Sequence, residues 1–315
     1  MIKERAPRNQ TLQVNENEII EFKKRLLFPA GLPISEDLLT DKTICSDLFQ
    51  TIDLLPDAFA DLIIIDPPYN LSKDFSGMKF RQMNDNAYLD YLRSWFPQVV
   101  KKLKPNGSLY LCGDWKCTAA LYTVMNENLS VINRITWQRE KGKGAKTNWK
   151  NSMEDIWFGV KNPKDYYFDI DAVKVRRKVL APYKQDGKPK DWEETPEGNF
   201  RMTHPSNFWD DLTVPYWSMP ENTDHPTQKP EKLIAKLILA SCPPEGIVFD
   251  PFLGSGTTSV VAKKLGRRYC GIEMNLEFCC WAEKRLEKAT ADKTIQGYED
   301  GVFWERNSKS LKKSF

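Results

Sequence analysis

Two short stretches hold residue types that can do chemistry together. The first is "IIIDPPYN", residues 63–70, where a run of isoleucines ends at Asp66 and Pro67, Pro68 and Tyr69 follow. A carboxylate and the Pro67 carbonyl can each accept one N–H of an exocyclic base amine. The prolines limit φ and hold those acceptors in place, and the Tyr69 ring can stack on a flat base. The second is "IVFDPFLGSGTTSVVAKKLGRRYCGIE", residues 247–273. An apolar run enters a glycine turn that opens a helix, and the next strand ends at Glu273, nineteen residues after Gly254. Glycines there let backbone approach a ligand, and an acid ending the following strand accepts ribose hydroxyls. The turn has no Gly-Lys-Ser/Thr, and Ser259 takes the third glycine position of a dinucleotide fingerprint. An adenosine-bearing cofactor therefore suits it better than a triphosphate. Alone, the first stretch also reads as a strand-ending turn with a capping Asp and the second as an ordinary strand-to-helix turn; their combination is what points to chemistry.

The elements that must position these residues follow a strand–helix rhythm. "KTIC" (42–45) and "DLIIID" (61–66) read as short buried strands. In "AYLDYLRSWFPQVVKKLKPNG", Tyr88, Leu92, Trp95, Val99 and Leu103 share one helical face. Pro97 is expected to kink this helix, Asn106-Gly107 to stop it, and "SLYLC" to follow as a strand. An amphipathic helix "EKLIAKLILASC", the strand "GIVFD", the helix "SVVAKKLG" and the strand "RYCGIE" complete the pattern. Such alternation implies a parallel sheet covered by helices. Residues 1–40 read as an N-terminal extension with a short helix capped by Asn15, residues 161–224 as an irregular insertion, and residues 291–315 as a tail. That leaves 41–160 and 225–290 as the two halves of the α/β domain.

Composition bounds the class. With 315 residues, 41% hydrophobic and 28% charged, the chain has the makeup of a globular protein. No apolar run is long enough to span a bilayer, and the first ten residues are polar, so a cytoplasmic protein is expected. Seven cysteines read as reduced thiols, and two histidines offer little for zinc, so no metal site is expected. Net charge is only +3, yet residues 139–190 hold fourteen Lys/Arg against seven Asp/Glu. The rest of the chain thus carries a net −4, and the basic middle reads as a surface facing a polyanion or as a solvated loop.

Taken together, Asp66-Pro67-Pro68-Tyr69, Phe252-Leu253-Gly254-Ser255-Gly256 and "HPTQKP" (225–230) resemble the motifs of the S-adenosylmethionine-dependent amino-group DNA methyltransferases. The resemblance covers roughly residues 42–288. Its order, catalytic loop before insertion before cofactor loop, is similar to the β class. The Asp form of the first motif resembles adenine-N6 enzymes; cytosine-N4 members more often carry Ser.

The resemblance implies a Rossmann-like α/β fold in circularly permuted order. Its sheet is mostly parallel and seven-stranded, with one antiparallel strand, and carries a target-recognition insertion. It implies Asp66, Pro67 and Tyr69 as catalytic residues. For the cofactor it implies Phe252, Gly254 and Gly256 at the methionine and ribose, Glu273 at the ribose hydroxyls, Asp47 at the adenine and Lys229 at the carboxylate. Asp250, Ser255 and Thr257 complete the expected cofactor site. Double-stranded DNA is the expected partner, with the target base flipped out of the stack. A homodimer and a separate cognate restriction endonuclease are further expected partners, and nucleoid association follows. Within the basic middle, "QREKGKGAKTNWKN" and Arg176-Arg177-Lys178 are candidates for DNA contact, and Trp149, Trp192, Trp209 and Trp217 for wedging or for core packing. The alternatives are cytosine-N4 transfer, an RNA or protein amide acceptor, and a DNA-binding protein that has lost catalysis.

Overall fold

The computed structural model describes residues 6–75, 78–139, 146–180 and 183–306. Helix α1 (Glu16–Lys23) starts at a capping box in which Asn15 and Glu18 satisfy each other's backbone N–H. The short α2 (Glu36–Leu39) leads to β1 (Lys42–Cys45), α3 (Leu48–Thr51) and β2 (Ala60–Ile65). A small hairpin, β3 (Lys73–Phe75) with β4 (Met78–Phe80), precedes α4 (Asp85–Lys101), β5 (Leu103–Gly113), α5 (Thr118–Asn128), β6 (Ser130–Gln138) and β7 (Met153–Val160). The insertion adds β8 (Val175–Lys178), a hairpin of β9 (Lys184–Gln185) and β10 (Lys188–Pro189), then β11 (Glu193–Thr195), β12 (Gly198–Thr203) and β13 (Phe208–Trp209). The last part runs α6 (Glu231–Ser241), β14 (Ile247–Asp250), α7 (Thr257–Lys264), β15 (Arg268–Glu273), α8 (Leu276–Ala291), β16 (Tyr298–Glu299) and β17 (Val302–Trp304).

The main sheet has the order β1-β15-β14-β2-β5-β7-β6-β13. Only β7 runs antiparallel to its neighbours, β5 and β6. The sheet therefore has eight strands where seven were expected. The extra one, β13, is two residues of the insertion laid parallel along β6. Alternation along β2 serves both faces, as a central parallel strand requires. Leu62 and Ile64 pack toward α6, α7 and α8, while Ile63 and Ile65 pack toward α4 and α5.

Helix α4 continues through Pro97 to Lys101; Arg93, whose carbonyl loses its N–H partner there, is exposed, so water can replace the bond. Two local expectations are corrected. Asn106-Gly107 does not stop α4, which ends at Lys101, and lies instead inside β5. There the pairing with β2 jumps from Ala60–Leu103 to Leu62–Ser108, so the turn-forming pair is absorbed in a bulge. Helix α6 is buried all round rather than amphipathic. Its charges are paired: Lys236 and Lys232 with Asp211, and Glu231 with Arg285 and Lys264.

The segments expected as insertion, extension and tail do not separate in space. β16 and β17 join β8, β11 and β12 in a second, five-stranded sheet, with β17 parallel to β8. The N-terminal residues dock too. Leu12 bridges to Thr223 and is buried against Phe278 and Trp281, and Lys284 of α8 holds Glu18. Among the described residues no helix is long and apolar enough to cross a membrane.

Candidate active site

Asp66 directly follows β2, Asp250 ends β14, Glu273 ends β15, and Asp47 follows β1. These four strands are parallel neighbours, so their carboxyl ends lie side by side, where open α/β sheets bind ligands. They frame a cavity of about 510 Å³. Its walls include Asp47, Asp66, Pro67, Tyr69, Lys229, Asp250, Phe252, Gly254, Ser255, Thr257 and Glu273. Of the residues expected at the site, Gly256 alone does not line this cavity.

The Asp66 loop is held from both sides. The Asn70 side chain donates to the Met83 carbonyl and accepts from the Met83 N–H at 2.9 and 2.7 Å, clamping the loop to the approach to α4. The Tyr88 hydroxyl donates to the Pro68 carbonyl at 3.1 Å. Within the loop the Tyr69 hydroxyl donates to Asp66 Oδ1 at 2.8 Å, and Lys229 Nζ donates to Asp66 Oδ2 at 2.6 Å. Lys229 also donates to the Tyr69 oxygen at 3.0 Å. Burial works against the Lys229 charge, but Asp66 and Glu154 outweigh it and hold the ammonium above its ordinary range. Burial, with Asp66 and Glu154 beside it, pushes the Tyr69 hydroxyl well up, so it stays a neutral donor. Lys229, expected at the cofactor carboxylate, thus spends its ammonium on the catalytic loop. Its place is set by Gln228, which accepts from the Thr223 backbone and hydroxyl and donates to the Glu221 carbonyl, immediately before α6 begins.

On the cofactor side, Asp250 Oδ1 accepts from the Phe252 N–H at 3.0 Å and Oδ2 from the Thr258 hydroxyl at 2.5 Å. Burial, with Asp66 and Glu273 nearby, raises this carboxyl to about 7 despite those bonds. Glu273 accepts from the Gly254 N–H at 2.9 Å and from the Asn275 N–H at 2.7 Å; burial pushes it up as well. Asp47 caps α3 through the Phe49 N–H. Phe252 packs edge-on against Trp95 at 5.0 Å. Ser255 and Thr257 are tied from behind: Arg285 donates to the Ser255 carbonyl and the Thr257 hydroxyl at 2.9 Å each and pairs with Glu231.

The two glycines differ in what they do. Gly254 has φ +56°, and a Cβ there would sit 3.0 Å from His225 Nε2. Gly256 has φ +85°, and its Cβ would lie 2.5 Å from the Ala282 Cβ. Close packing of α8, rather than approach to a ligand, demands Gly256.

Glu154 of the site was missed by the sequence reading, while Arg139 was read only as part of the basic run. Glu154 of β7 lies 3.2 Å from the Tyr69 hydroxyl and 3.4 Å from Lys229, and Arg139 pairs with it at 2.6 Å. A signal existed: Glu154-Asp155 interrupts an otherwise apolar strand, and buried acids need partners. Asp155 finds its own in the hydroxyls of Thr118 and Thr136.

The residues present fit S-adenosylmethionine. Five carboxylates (Asp47, Asp66, Glu154, Asp250 and Glu273) line the cavity against two cations, Arg139 and Lys229, an acidic excess suited to a cationic sulfonium. Glu273 ends β15 with acceptor capacity left for a diol, and Phe49, Phe252 and Ile272 supply apolar wall for an aromatic base. The profile of the DNA methylase family (N6_N4_Mtase) matches residues 60–284.

The chain belongs to this family. Its members are S-adenosylmethionine-dependent DNA methyltransferases of the amino-group class. The type II methyltransferase M.HpaI of Haemophilus parainfluenzae is 34% identical over 79% of this chain and 75% of its own. The DNA adenine methyltransferase YhdJ of Escherichia coli (strain K12) is 33% identical over 79% and 84%. Among solved structures, the cytosine-N4-specific PvuII DNA methyltransferase superposes with a TM-score of 0.58 at 20% identity, covering 79% of this chain and 90% of that one. The M1.HpyAVI–SAM complex gives 0.51 at 24% identity over 78% and 98%. At those identities the likeness is one of fold, and it places this DNA methylase among Rossmann-like methyltransferases.

The candidates for DNA contact divide by exposure. Trp149 is 96% exposed and Trp217 is half exposed, whereas Trp192 and Trp209 are buried core residues. Arg176 lies over the rings of Phe200 and Trp304 at 4.6 and 4.8 Å. His204 is paired with Asp171 on the surface. Residues 140–145 of the basic run lie outside the described residues.

Proposed function

We propose that this DNA methylase transfers a methyl group from S-adenosylmethionine to the N6 amine of an adenine flipped out of double-stranded DNA, within a restriction–modification system. The observation that carries the proposal is the placement of Asp66, in the wall of the acidic cavity and at the end of the strand beside Asp250. When bound, S-adenosylmethionine supplies an electrophilic methyl group.

The residues of this chain do the rest by positioning. Asp66 and the Pro67 carbonyl accept the two amine N–H groups and turn the nitrogen lone pair toward the cofactor side of the cavity. Tyr69 braces Asp66 through its hydroxyl and presents its ring to the base. Glu273 accepts the ribose hydroxyls, while Asp250 and Asp47 add negative charge near the sulfonium and adenine. Gly254, Ser255, Thr257 and Phe252 shape the methionine end. Gly256 acts from behind, by seating the loop on α8. Residues 161–224, with the strands β16 and β17 that complete their sheet, form the target-recognition module. The Asp at the head of the catalytic loop and the relative named as an adenine methyltransferase support adenine over cytosine.

The test is mass spectrometry of nucleosides from unmethylated duplex DNA incubated with the protein and methyl-labelled S-adenosylmethionine. Labelled N6-methyladenine is the expected product. Labelled N4-methylcytosine would overturn the adenine assignment, and label in RNA or protein but not DNA would overturn the substrate class.

A further inference from the structure

Glu154 takes no part in the reaction as set out above, yet it is placed as if it should. It is 4% exposed and stands on the antiparallel strand β7, across from the Asp66 loop. Its Oε2 is 3.2 Å from the Tyr69 hydroxyl and 3.4 Å from Lys229 Nζ, and its Oε1 accepts from Arg139 at 2.6 Å. Lys229 therefore has two anionic seats less than 1 Å apart in reach, Asp66 at 2.6 Å and Glu154 at 3.4 Å.

The occupied seat is the one catalysis needs. While Lys229 holds Asp66 Oδ2, that oxygen is a weakened acceptor for a substrate amine. Releasing a buried ammonium without a new partner is costly, because an unpaired charge in a water-poor site is strongly disfavoured. Glu154 is the partner at hand. Arg139 now shares its charge, but Arg139 is far less enclosed, with a side chain 38% exposed. It lies just past the end of β6, where its backbone N–H closes the strand pair on the Ser152 carbonyl. Its Nε is buried and meets no acceptor among the described residues. It is therefore the cation of the cluster best placed to move onto an arriving DNA strand.

We propose that Glu154 is a positioning residue for methyl transfer: it receives Lys229 when the substrate amine claims Asp66, and Arg139 holds that seat until DNA draws it away. The cluster of Asp66, Glu154, Lys229 and Arg139 is a two-position charge relay, closed without DNA and opened by it. This rests on transfer to an exocyclic amine, whichever base carries it.

The test is single-turnover methyl transfer at saturating DNA and cofactor, with the Kd for S-adenosylmethionine measured by calorimetry on the same proteins. The variants are Glu154→Gln, Glu154→Asp, Lys229→Met and the double variant Glu154→Gln/Lys229→Met. Expected for Glu154→Gln is a rate about tenfold or more below wild type with cofactor Kd within about threefold, since only a step after binding is affected. Glu154→Asp keeps the charge at shorter reach and lies between. In the Lys229→Met background there is no ammonium to move, so adding Glu154→Gln costs nothing further; a purely structural role would cost the same in both backgrounds. A wild-type rate in Glu154→Gln, an equal penalty in both backgrounds, or loss of cofactor affinity in step with rate would each overturn the proposal. Should Glu154→Gln fail to fold, Glu154→Asp carries the test: slowed transfer with cofactor affinity kept supports it, and a wild-type rate overturns it. A wild-type protein that labels no nucleic acid would overturn the functional reading itself, which separates the two failures.

Discussion

Lys229 and Asp66 are 163 residues apart in the chain and 2.6 Å apart in the fold. The contact joins the loop entering α6 to the loop leaving β2, so two distant lengths of the chain share one largely buried charge pair. Lys229 keeps a counter-charge if Asp66 is lost, because Glu154 also faces it.

That arrangement shapes the outcome of Asp66→Ala. Lys229 keeps Glu154, so the fold survives. Cofactor affinity is expected to change little, since the proposed cofactor contacts at Asp250 and Glu273 are untouched. Transfer falls by at least about 10²-fold, the scale seen when one aligning group is removed. Calorimetry and a labelled-methyl assay on the same preparation check both halves.

The glycine turn separates by position. Gly256→Ala places a Cβ 2.5 Å from the Ala282 Cβ at φ +85°, and helix backbone cannot yield as a side chain can. A loss of about 2–4 kcal/mol in urea unfolding is expected from strain and overpacking together. Gly254→Ala meets only the rim of the His225 ring. Its stability cost is expected to be about 1 kcal/mol, from positive φ alone, with the larger effect on cofactor Kd.

Asp250 makes stability depend on pH. Its carboxyl rises from the ordinary 3.8 to about 7 in the folded protein, chiefly through burial. A raised acid contributes its stability in full below the unfolded value and loses it as pH climbs to the folded one. Wild type should therefore lose stability relative to Asp250→Asn between about pH 4 and pH 7, with a slope of up to about 1.4 kcal/mol per pH unit. Urea midpoints of both proteins across that range decide it; parallel curves would show that the carboxyl titrates normally.

Much of the site was legible because strands β2, β14 and β15 write their ends plainly. An apolar run stops at a carboxylate three times, at Asp66, Asp250 and Glu273, and parallel pairing brings those stops together. Glu154 was legible only as an acid in an apolar strand; its place in the site was not, because its partners Tyr69 and Lys229 are both far off in sequence. The strands β16 and β17 escaped notice for a related reason: at two and three residues they have no period to read, and it is pairing, of β16 with β17 and of β17 with β8 more than 100 residues earlier, that makes them strands. Asn106-Gly107 misled because turn-forming residues also suit a bulge inside a strand.

Trp304→Ala tests whether that second sheet is a working part. Removing the ring strips one side of the Arg176 sandwich and is expected to cost about 1–3 kcal/mol, less than a fully buried aromatic. At saturating DNA the transfer rate should hold, while Kd for the cognate duplex rises, read by fluorescence anisotropy. Unchanged DNA affinity would remove Arg176, Arg177 and Lys178 from the DNA surface.

Because β17 is spliced beside β8, the five-stranded sheet is assembled from two lengths of chain that flank the whole cofactor half. A swap of this module between relatives, made to trade one recognition site for another, would need two simultaneous exchanges. Replacing residues 161–224 alone would leave the donor's β8 facing a foreign β17, and the hybrid would inherit a seam rather than a specificity.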